Sequence, residues 1–194
     1  MMIFYLCLAY YFVHEYFERC QDGMEISAEQ STVTQIGDSG NKYLFSWCNQ
    51  WIDANIPQIA KWKLRINKLI HKKDWFSQRS VMIRIVSDEA PEYFGKKYEP
   101  CYRFVESATT WTNGKGQRLE ASIPAETRPA AFAEVDDLWV ILNTKDATIG
   151  ILRNDNDLRI LWKNIQIGSD IRYKLCISSI LAFDQMKLCY KLNK

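Results

Sequence analysis

Histidine is scarce. The chain of 194 residues carries two, His14 and His71, although histidine is the commonest metal ligand and the commonest acid–base group near neutral pH. Neither stands in a serine- or cysteine-nucleophile context. A Cys48–His71 dyad would exist only if the fold happened to join the two. The six cysteines, Cys7, Cys20, Cys48, Cys101, Cys176 and Cys189, include no C-x-x-C pair and no histidine at ligand spacing, which excludes the usual zinc arrangements. Their scatter over the whole chain suits free, mostly buried thiols of a reducing compartment such as the cytoplasm.

Other signatures are missing too. There is no P-loop and no G-x-G-x-x-G, and no internal repeat or low-complexity segment. The run Asn154-Asp155-Asn156-Asp157 lacks the central glycine and distal glutamate of a calcium loop. Asp136-Asp137 and Asp155/Asp157 flank apolar runs and read as turn or cap residues. No catalytic residue, metal site, cofactor or small-molecule substrate is therefore implied. A net charge of +2 gives no global attraction for nucleic acid or acidic lipid, so any such attraction must be local.

Long apolar runs are also absent. A spanning helix needs about 20 apolar residues, and "MMIFYLCLAYYFV" ends at His14 and Glu15. It lacks the basic leader and small-residue cleavage site of a secretory signal. Either this segment is buried in the core, or it docks into a partner or a bilayer. A helix apolar on every side cannot stay wet.

What the chain has in quantity is aromatic surface: 13% aromatic residues, seven of them Trp, as expected of a well-packed β-containing core or of an interface. Met1 to Cys20 reads as a helix, and residues 21–42 as a loop or weak hairpin around Val33 to Ile36. From Tyr43 to Lys73, the spacing of Leu44, Trp47, Trp51 and Ile52, and then of Ile59, Trp62, Ile66, Leu69 and Ile70, predicts two helices separated at Pro57. Alternation and β-branched content predict strands over 80–88, 101–107, 138–144, 148–154 and 158–167. Ser169-Asp170 then caps a closing helix. The expected fold is α+β: N-terminal helices followed by an antiparallel, barrel-like β-sheet and a C-terminal helix. The expected division is a helical region, 1–76, and a β-rich domain with its closing helix, 77–194.

The stretch "TWTNGKGQRLEASI" carries two glycine turns before an alternating run, and reads as a β-hairpin with Trp111 lying across it. Trp111, Thr112, Gly116, Leu119, Glu120 and Ala121, followed by Leu152, Asp155, Ile160, Ile167, Ser169, Asp170 and Tyr173, resemble the Sla-one homology domain, a small Src-homology-3-like barrel. The likeness spans roughly residues 103–175, with Asn-Asp-Asn-Asp where that family has an Asp-Gly turn. It implies a non-catalytic barrel that binds peptides or another domain. Trp111 is then the candidate aromatic platform, with Tyr102 and Trp162 as further candidate partner-binding residues.

The remaining charged feature is basic. Lys61, Lys63, Arg65, Lys68, Lys72, Lys73 and Arg79 alternate with Trp62, Trp75 and Phe76 around a single Asp74. Read as a helix, this is either the solvated face of a core element or a surface for phosphates or an anionic membrane. The sequence thus points to a non-enzymatic structural or interaction protein, a subunit of a larger assembly that docks a protein partner through aromatic and apolar surface. The alternative is a nucleic-acid- or anionic-surface-binding protein that uses the basic helix Lys61–Arg79.

Overall fold

A computed structural model describes residues 16–36, 44–68, 81–87, 101–105, 110–113, 117–118, 135–179 and 185–189. Among them there is no helix. Two antiparallel sheets carry all the regular structure. The first takes β1 (Phe17–Cys20), β4 (Leu44–Cys48), β14 (Arg172–Ser179), β7 (Val81–Ser87), β8 (Cys101–Val105) and β9 (Thr110–Asn113) in that spatial order, with β5 (Ile52–Asp53) paired to β14. The second runs β10 (Gln117–Arg118), β13 (Asp157–Lys163), β12 (Thr148–Arg153), β11 (Asp137–Asn143), β6 (Ile59–Lys68), β15 (Gln185–Leu188), β3 (Thr32–Gln35) and β2 (Met24–Ile26).

The clearest element is β6. Trp62, Leu64 and Ile66 are fully buried, while Lys61 and Arg65 are exposed and Lys63 is half-buried. That is a period of two, and only a strand puts successive side chains on opposite faces. In β11, Leu138, Val140 and Leu142 alternate inward in the same way. The inward sets of both sheets meet in one core that also takes in Phe17, Ile83, Ile85, Tyr102, Ile149, Ile151, Trp162, Tyr173, Leu175 and Ile177. Each fully buried Leu, Ile or Val in it contributes about 1.5–3 kcal/mol of transfer free energy.

The expected α+β class is corrected by these strands. The end of the proposed first helix is β1, the described part of the Tyr43–Lys73 helices is β4, β5 and the long β6, and that of the closing helix is β14 and β15; residues 43, 69–73, 180–184 and 190–194 lie outside the described residues. The physical reason is double burial. The first sheet has an apolar cluster on its other face as well, formed by Phe45, Trp47, Val86 and Cys176. Strands covered on both sides read as continuous apolar runs such as "LFSWC" and "KLCIS", which periodicity alone cannot separate from helix. Met1 to Glu15 lie outside the described residues.

The strands expected over 80–88, 101–107, 138–144, 148–154 and 158–167 are present as β7, β8, β11, β12 and β13. Of the expected hairpin at 109–123, residues 109, 114–116 and 119–123 lie outside the described residues, and the described parts pair elsewhere. β9 pairs with β8 in the first sheet and β10 with β13 in the second, so the chain changes sheets between Asn113 and Gln117. The barrel-like sheet is accordingly two stacked sheets. Strands from both sides of residue 76 pair within each of them, β4 with β14 and β6 with β11 and β15, so the expected division at that point runs through both sheets.

One glycine is demanded by packing. At Gly150 the β12–β13 register shifts, and a Cβ there would sit 2.8 Å from the Arg159 carbonyl oxygen. Backbone on a paired strand cannot yield cheaply. Gly150→Ala is expected to lower stability by about 1–3 kcal/mol, read as a fall in the denaturant midpoint without a change in slope. An unchanged midpoint would contradict this register.

Candidate partner-docking surface

At one end of the sandwich three connections are laced together. The first, between β4 and β6, turns at Asp53, whose Oδ1 accepts from the Asn55 amide at 2.8 Å. Its Ala54 amide donates to the Ile171 carbonyl at 2.9 Å. The Gln58 amide donates to Thr144 Oγ1 at 2.9 Å, and that hydroxyl donates in turn to the Ile56 carbonyl. The second is the β11–β12 turn, closed by Asn143 and Asp146: the Asp146 amide donates to Asn143 Oδ1 at 3.0 Å and Asn143 Nδ2 to Asp146 Oδ2 at 2.8 Å. The third, between β13 and β14, is tied to this turn by the Ile165 amide on the Ala147 carbonyl at 3.1 Å. It is tied to the core by two phenols. The Gln166 amide donates to the Tyr102 hydroxyl at 3.1 Å, and the Tyr173 hydroxyl donates to the Gln166 carbonyl.

These fixed loops hold large apolar side chains in water. Trp51, Ile56, Ile59 and Ile167 are between 37% and 56% exposed. Trp51 is braced by two cations, with Lys174 Nζ 4.6 Å and the Arg172 guanidinium carbon 5.1 Å from its ring centroid. Lys174 is held in turn by Glu18 at 2.6 Å. A flat aromatic braced by cations on a hydrogen-bonded connection can bury much area at little entropic cost on contact.

The candidate residues read from sequence do not converge here. Tyr102 and Trp162 are 1% and 2% exposed and pack edge-to-face at 5.7 Å in the core, so neither offers a face to a partner. Trp111 lies on β9, the edge strand of the first sheet. Of the basic set, Lys61, Lys63, Arg65 and Lys68 lie on the strand β6 rather than on a helix. Lys72, Lys73 and Arg79 lie outside the described residues, as do His14, His71 and Cys7. The carboxylates are engaged structurally: Asp136 pairs with Arg153 at 2.6 Å, Asp137 with Lys63 at 2.7 Å, and Asp155 accepts from the Trp139 indole at 2.7 Å. The hydrogen bond to Asp137 holds the Lys63 ammonium above its usual pKa. Among the described residues no group of three or more His, Cys, Asp or Glu is placed to hold a metal ion. Cys20, Cys48, Cys176 and Cys189 are not in disulfides.

The loop residues were overlooked because Trp51 falls at helical spacing from Trp47. The signal that would have found them is turn chemistry, since Asp53, Asn55 and Pro57 alternate through the segment.

No family model matches the chain, and no curated protein sequence matches it. Solved structures do. The SPRY domain of human HERC1 superposes with a TM-score of 0.64 at 12% identity, covering 91% of this chain and 98% of that one. The PSpry domain of TRIM65 gives 0.55 at 14% identity, covering 87% and 84%. The NHR domain of Neuralized from Drosophila melanogaster gives 0.50 at 10% identity, covering 90% of each. The chain has a SPRY-like fold. The segment that resembles the Sla-one homology domain supplies β8, β9 and β14 to one sheet and β10 to β13 to the other.

Two outcomes follow from the lacing. Thr144→Val leaves the Gln58 amide without its acceptor and is expected to cost about 1–3 kcal/mol, with faster amide exchange confined to residues 54–58; uniform exchange would contradict the lacing. Burial raises the Tyr173 phenol far above 10.0. The folded state therefore keeps a proton that the unfolded state releases, and stability falls as pH rises above about 10. Tyr173→Phe should flatten that fall in a series of midpoints against pH, and an equally steep fall in the variant would contradict it.

Proposed function

We propose that this chain is a non-enzymatic protein-docking domain that grips its partner with the laced loop end. One observation carries the reading: Trp51, Ile56 and Ile167 on these connections, and Ile59 at the start of β6, are exposed large apolar side chains, and hydrogen bonds tie the connections to one another and to the core. Domains with the SPRY-like fold are generally protein-interaction modules rather than enzymes, and this supports the same conclusion. Trp51 is the proposed anchor, because a braced aromatic loses little freedom when covered. Trp111, on an edge strand, is a second proposed contact. The nucleic-acid alternative rested on a continuous basic helix, and its described part is a strand with Lys63 already paired.

The test is affinity capture with the full chain beside a Trp51→Ala/Ile56→Ser variant of verified folding. Loss of a hot-spot aromatic weakens a complex by about 2 kcal/mol or more, roughly thirtyfold. The partners retained by the parent chain should therefore be absent from the variant. An identical captured set would contradict the loop end as the contact surface.

A further inference from the structure

The outward face of the second sheet is divided by charge. Register places its side chains in rows across β6, β11, β12 and β13. One row is Lys63, Trp139, Leu152 and Leu158, and the next is Lys61, Ile141, Gly150 and Ile160. Each row begins with a cation on β6 and continues with apolar groups on its neighbours. Leu158 is 57% exposed, and Ile160 packs close over Gly150. On the other flank of β6, Lys187 of β15 stands directly opposite Arg65, and both are exposed. Asp137, the neighbour of Arg65 on β11, is taken by Lys63.

Like charges directly opposite in an antiparallel pair destabilise a sheet. Among the described residues no carboxylate forms an ion pair with Lys61, Arg65 or Lys187. Lys187 reaches Glu29 only as a weak electrostatic influence. A column of cations kept together at a cost to the free domain, beside a strip of apolar side chains, is complementary to a ligand with the opposite charge and the same apolar character.

We propose that this face is a second docking site, separate from the loop end, for a protein segment that sets carboxylates beside apolar side chains. Lys61, Arg65 and Lys187 receive the carboxylates, and Trp139, Ile141, Leu158 and Ile160 receive the apolar groups. Protein is favoured over lipid or nucleic acid because the apolar strip lies level with the cations across a single pleated surface, at the spacing of neighbouring peptide side chains.

The experiment uses the full chain and a labelled soluble peptide whose glutamates and aspartates flank leucine and phenylalanine, read by fluorescence anisotropy. The expected result is binding that weakens with salt and falls about tenfold on Lys61→Glu or Arg65→Glu. Trp51→Ala, at the loop end, should leave it unchanged. Lys187→Glu is the decisive variant. It should raise Tm by about 1–3 °C, because it relieves the facing charges, and at the same time weaken the peptide. No binding, or binding indifferent to all three charge reversals, would overturn the proposal. So would tighter, variant-sensitive binding of a single-stranded oligonucleotide or of phosphatidylcholine–phosphatidylserine vesicles, which would assign the face to another ligand.

Discussion

The pairing of β6 on both of its edges organises this molecule. One edge meets β11 over Asp137–Asn143 and the other meets β15. The two pairings overlap at Leu64 and Arg65, β11 continuing along the strand to Ile59 and β15 to Lys68, and the register cannot slip by one residue without turning its apolar set outward. That single constraint sends Trp62, Leu64 and Ile66 into the core and Lys61, Lys63 and Arg65 to the surface. It also joins parts of the chain that are remote in sequence, so the second sheet cannot form from either half alone.

The two surfaces follow from this arrangement. The start of β6 lies where Thr144 holds the Gln58 backbone, which places Ile56 and Ile59 beside the β11–β12 turn. Farther along the same strand the outward positions become cationic and face the apolar side chains of β11 and its neighbours. Hydrogen bonds fix the β13–β14 connection to the core: Tyr173 and Tyr102 both serve the Gln166 backbone. Anchoring of this kind suits recognition, in which exposed groups are held ready for contact.

Much of the second half was legible in the sequence. Strand β11 alternates cleanly, β12 and β13 are apolar runs between turn residues, and the β12–β13 turn bends through Asn154 and Asp155 at positive φ, which Asn and Asp adopt more readily than other side chains. The first half was misread for a definite reason. In "IAKWKLRINK", Ile59, Trp62 and Ile66 fit helical steps, yet Trp62, Leu64 and Ile66 fit alternation better, and the interleaved lysines and arginine are its polar phase. In β4 and β14 both faces are covered, so neither period stands out. Turn chemistry at Asn113-Gly114, on which the expected hairpin rested, specifies a change of direction but not which strand pairs next. The choice of Tyr102 and Trp162 rests on aromatic character, which cannot separate core from interface, and both lie in the core. Only the neighbours decide that.

The most direct test of the account is a cross-link between register partners on the outward face. Lys61 and Ile141 are opposed Cα partners on β6 and β11, at a separation that a disulfide can span. A Lys61→Cys/Ile141→Cys chain should oxidise to that bond in the folded protein, identified by peptide mapping, whereas a Trp62→Cys/Ile141→Cys chain should not. Absence of the first bond, or formation of the second, would contradict β6 as the strand on which the core and both surfaces are built.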